Sequence, residues 1–91
     1  MSETKIALSS LALDLKRVAL GYWKGSDETA GRFVEEALER KKELDKVEVK
    51  PYLRQLLDQL PQVVAQEDKK RLAEDALMYS TRFQNYALRI K

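Results

Sequence analysis

Between residues 4 and 24 the chain carries apolar residues on two faces of one helix, and a small bundle has room for only one of them. At about 100° per residue, Leu8, Leu11, Ala12, Leu15, Val18, Ala19 and Tyr22 fall in one broad stripe suited to the inside of a bundle. Ile6, Leu13 and Leu20, spaced seven apart, form a second stripe on nearly the opposite side. Three arrangements accommodate it. The first helix is the central helix of the monomer, or it makes a two-fold contact with a second copy, or it docks another protein or an anionic membrane surface. The first two rank equally and a protein partner next; the membrane surface is the weakest, because Glu3 and Asp14 dilute the basic character of Lys16, Arg17 and Lys24.

A second subunit would also answer a problem of size. The chain has 91 residues. A single domain of this length buries only about 60–65% of its unfolded surface, so its stability is marginal without help. The expected architecture is one all-α domain over residues 1–91, a bundle of about four helices at 4–24, 27–46, 51–65 and 67–90.

The boundaries follow from local chemistry. Gly25 can take the left-handed conformation that ends a helix, and Ser26 or Asp27 is placed to cap the next. In the second helix Ala30, Phe33, Val34, Ala37, Leu38 and Leu44 share a face, with Ala30 and Ala37 small enough to admit another backbone closely. Lys41 interrupts that face; its stem should cover apolar surface while the ammonium reaches Asp45. Val47 to Lys50 alternates like an extended segment, and Pro51 suits the first turn of the third helix. Leu53, Leu56, Leu57 and Leu60 form its apolar face before Pro61, which must either kink it or start a new turn carrying Val63 and Val64, and a bend at Pro61 is the expectation. Asp68 is placed to cap the fourth helix, in which Leu72, Ala76, Tyr79, Phe83, Tyr86 and Ile90 repeat at alternating four and three spacing. Tyrosine hydroxyls on that seam should reach the rim or a polar partner such as Ser80.

Charge narrows the choice of partner. The net charge is +2, spread as +2 over residues 1–25, −2 over 26–50 and +2 over 51–91. A nucleic-acid reader concentrates its cations on one face. Arg40, Lys41 and Lys42, and Lys69, Lys70 and Arg71, are the two clusters that could contact phosphates, but acids interleave both. The acids Glu28, Glu35, Glu39 and Glu43 form a stripe on the second helix that reads as a solvated face rather than a site for a hard cation.

Reactive chemistry finds no foothold. Histidine and cysteine are both absent, which removes Glu-x-x-His di-iron sites, histidine zinc sites, thiolate nucleophiles and disulfides. Ser2-Glu3-Thr4-Lys5 spells the Ser-x-x-Lys of penicillin-binding enzymes, but the companion motifs are missing and the chain is too short to surround such a site. Gly21, Gly25 and Gly31 lack the spacing of a phosphate-binding loop. Asp14, Lys16 and Arg17 break the one stretch that resembles a signal-peptide core, so the mature chain is expected to begin at or near Met1. The expectation is therefore a cytoplasmic helical interaction or regulatory module, a homodimer without catalysis, cofactor or metal. Its interface residues are Ile6, Leu13 and Leu20, with Trp23 beside the Gly25 turn as an aromatic anchor. A nucleic-acid-binding module using the two basic clusters is the alternative.

Overall fold

A computed structural model describes residues 3–90 as four helices: α1 (Glu3–Trp23), α2 (Asp27–Asp45), α3 (Pro51–Val64) and α4 (Lys69–Arg89). They pack as an up-down-up-down bundle in which α1 lies between α2 and α4, and α3 closes the ring against the same two neighbours. Among the described residues α1 and α3 are diagonal and do not approach each other closely. The long dimension, 37 Å, is set by the two 21-residue helices, each about 32 Å at 1.5 Å per residue.

The helix ends obey their residues. Gly25 has φ of 75°, and its amide bonds the Tyr22 carbonyl while the Ser26 amide bonds that of Gly21, at 3.1 and 2.8 Å. This paired closure satisfies carbonyls that the end of a helix leaves open. Ser26 stands at the N-cap position, as expected, but without the expected side-chain bond. With its amide held in the turn and its backbone at φ −95°, ψ 67°, Ser26 makes no side-chain bond to the amides of α2. Asp27 and Glu28 still stand in the first turn, at the positive end of the helix dipole.

Lys50 is extended and Pro51 opens α3, as the sequence predicts. α3 then continues through Pro61 to Val64 as one helix, with the proline ring exposed, so no new turn starts there. Asp68 caps α4 by accepting from the amides of Lys70 and Arg71 at 3.1 and 3.2 Å.

The core is built mainly by three helices. Leu8, Leu11, Leu15 and Val18 of α1, Leu53, Leu57 and Leu60 of α3, and Leu72 and Phe83 of α4 are fully buried. Tyr79 and Phe83 meet edge to face at 6.1 Å. The Tyr79 hydroxyl donates to Gln59 of α3 at 2.7 Å, so its partner is not Ser80. Ser80 instead donates to the Ala12 carbonyl of α1 at 2.6 Å. Ala73 and Ala87, one heptad to either side of it, are also buried, and this small-residue edge lets α1 and α4 close on each other.

α2 sits more shallowly. Ala30, Ala37 and Leu44 are buried, while Phe33, Val34 and Leu38 are half-buried. Its close approach to α1 is at Gly21, where an added Cβ would stand 2.9 Å from the Ala30 Cβ. Ala30 thus meets a backbone, as its size suggested, and Gly21 is the residue that gives way.

Candidate functional site

The second stripe of α1 remains uncovered. Ile6, Leu13 and Leu20 keep 50%, 46% and 40% of their surface exposed. This overturns the central-helix reading: α2 and α4 clasp α1 from its flanks, and α3, the one helix left to cover the outer side, lies diagonally across the core. Trp23 is 48% exposed at the same end as Leu20.

The stripe borders an open groove on each flank. One, of about 340 Å³, lies between the start of α1 and the end of α2 and is lined by Ile6, Ala7, Leu44 and Val47 with Glu3, Thr4, Arg40 and Glu43. The other, of about 360 Å³, lies between α1 and α4, where Leu13 and Lys16 face Leu77, Thr81, Gln84 and Asn85. Lys16, Arg17 and Lys24 are exposed around the stripe, and the Arg17 guanidinium rests over the Phe33 ring at 5.3 Å from its centre.

The basic clusters are tied up within the monomer to different degrees. Arg40 faces Glu43 at 3.6 Å, Lys41 bonds Asp45 at 2.7 Å and Lys42 bonds Glu39 at 3.1 Å. The Lys41 stem is largely covered, as expected. Lys69 stands 5.4 Å over the Tyr22 ring, whereas the side chains of Lys70 and Arg71 are exposed on the first turn of α4. These same contacts engage two members of the acidic stripe, Glu39 and Glu43. Among the described residues no group of three or more histidine, cysteine or carboxylate side chains could hold a metal ion. No described helix is long and apolar enough to cross a membrane. Ser2 of the Ser-x-x-Lys match lies outside the described residues.

Two polar arrangements escaped the sequence reading. Asp14 is 5% exposed on the α1 flank that meets α2, and its Oδ2 has no hydrogen-bond partner. Desolvation raises its pKa above the ordinary 3.8, Glu36 raises it further, and Arg40 and Arg17 pull it back in part. The other is Arg54. From the first turns of α3 its guanidinium donates to the carbonyls of Leu44 and Val47 at 3.3 and 2.8 Å and to Asp45 at 3.0 Å. A cation thereby closes the negative end of α2. Helical periodicity carries no trace of either contact, since each depends on which residue of the neighbouring helix lies opposite.

Compared with known proteins, the chain matches no family model, no curated protein and no solved structure.

Proposed function

We propose that the protein is a helical interaction module that works by presenting the outer face of α1, and that it does so as a two-fold homodimer rather than as a catalyst. The observation that carries this reading is the exposure of Ile6, Leu13 and Leu20 along the whole of α1 beside a fully packed core. About half of each side chain remains to be buried. At about 1.5–3 kcal/mol for a complete leucine or isoleucine, the three contribute at most roughly 2–4 kcal/mol per copy and about 4–8 kcal/mol for a symmetric pair. That is of the same order as the roughly 4–15 kcal/mol cost of associating two chains. The stripe alone therefore offsets only the lower part of that cost, and a dimer of modest affinity also needs the burial of Trp23 at its edge.

Sedimentation equilibrium of the wild type and of Leu13→Glu tests the reading. A concentration-dependent dimer is expected for the wild type and its loss for the variant, with the melting of the monomer unchanged because Leu13 lies outside the core. A wild type that stays monomeric at high concentration refutes it. The nucleic-acid alternative has less behind it, since every cation of the 40–42 cluster faces an acid of its own helix.

A further inference from the structure

The arrangement of the pair can be taken further, on the footing of the homodimer just proposed. Ile6, Leu13 and Leu20 repeat at a strict seven, spanning about 21 Å of helix. A seven-residue repeat drifts by about 20° per heptad on a straight helix, and a shallow left-handed crossing of about 20° cancels that drift. Two such helices keep all three layers in contact only when nearly aligned. A crossing near 50°, the other common class, would engage the middle layer alone.

Charge then selects the direction. Lys16 and Arg17 sit on the two sides of the stripe near its middle, and Lys24 stands at its C-terminal end. In a parallel pair the Lys16 and Arg17 flanks of the two copies meet at one level, and they do so twice. In an antiparallel pair centred on Leu13, each flank meets its own copy inverted. Lys16 and Arg17 then lie level with Ser10 and Ser9, and Lys24 comes within one residue, about 1.5 Å along the axis, of Glu3, which is exposed in the first turn.

We infer that the partner of α1 is an inverted second α1, with Leu13 on the two-fold axis, Ile6 against Leu20 of the partner subunit and Lys24 paired with Glu3 of the partner subunit. The stripe is self-complementary under this inversion because an aliphatic residue of similar volume stands at each end. Trp23 falls over the first turn of the partner helix, which gives that exposed ring an apolar and polar edge to cover.

The absence of cysteine from the chain makes disulfide trapping unambiguous. Ile6→Cys and Leu20→Cys replace half-exposed residues outside the core, so both variants keep the bundle. Mixed and oxidised with a mild disulfide buffer, they are expected to give a heterodisulfide dimer, while each variant alone stays uncrosslinked because its two thiols lie about 21 Å apart. Self-crosslinking of each variant alone, with no preference for the mixture, would show a parallel pair and overturn the inference while leaving the homodimer standing. A sedimenting dimer with no crosslink in either format would place the interface on another surface and overturn it too. A monomer by sedimentation removes the functional reading itself.

Discussion

Replacing Asp14 by asparagine should stabilise this protein. Asp14 is almost completely withdrawn from water, Oδ2 has no donor, and the side chain it faces across the α1–α2 seam is a second carboxylate, Glu36. Asparagine keeps the shape, removes the charge and can donate an N–H to Glu36. Leaving a buried polar group without a partner costs about 1–3 kcal/mol. Recovering about half to most of that gives an expected gain of about 1–2 kcal/mol, and Tm should rise by about 4–8 °C per kcal/mol for a domain of this size. The pH dependence follows from the direction of the shift. Because the folded pKa is raised, the folded state holds the proton more tightly than the unfolded chain does. Asp14 therefore contributes least destabilisation below its unfolded pKa of 3.8. The penalty grows as pH rises from there through the folded pKa, and it is constant above. The assay is urea unfolding of wild type and Asp14→Asn at a series of pH values, read as the difference between the two. That difference should be largest at neutral pH and fall to its minimum below pH 3.8. A variant less stable than wild type at pH 7, or a difference independent of pH, would refute the reasoning.

Gly21→Ala should destabilise the bundle by about 1–3 kcal/mol, since the new methyl meets Ala30 at 2.9 Å and forces α1 and α2 apart against a gain in helix propensity of about 1 kcal/mol; thermal melting measures it, and an unchanged or higher Tm would show that the seam can open without loss. Arg54→Ala should cost about 1–2 kcal/mol and fray the end of α2, because the carbonyls of Leu44 and Val47 lose a charged donor. Hydrogen exchange should then speed up around Lys42 to Val47 while the rest of α2 keeps its protection.

How much of this was legible in the sequence depends on whether a feature is written along one helix or between two. Gly25, Pro51 and Asp68 act on their own neighbours in the chain, and all three hold the places their chemistry predicts. The apolar faces are equally local in origin, and six of the seven residues assigned to the inner stripe of α1 are buried, with Tyr22 half-covered beneath Lys69. Ser26 takes the N-cap position expected of it, but at φ −95°, ψ 67° its side chain makes no bond to the amides of α2, a backbone setting that its residue type does not reveal. Asp14 reads in sequence as a charge that interrupts an apolar run, but its burial is decided by α2 lying over it. Arg54 acquires its role only because α3 brings it under the end of α2. The outer stripe of α1 lies between these cases. Its existence is legible, but its exposure depends on α3 being diagonal to α1, which no periodicity encodes.

The bond from Ser80 to Ala12 joins residues 68 apart, and the seam it belongs to unites the first helix with the last. During synthesis the roughly 65 residues from the end of α1 to the end of α4 take roughly 3–13 s to emerge at about 5–20 residues per second. Until then both sides of α1 are bare, the inner leucines as well as the outer three, and α2 with its small, shallow face can shelter only one flank. Whatever meets the outer stripe in the finished protein, the nascent chain offers a larger apolar surface before α4 arrives, and the last helix is the one that hides it.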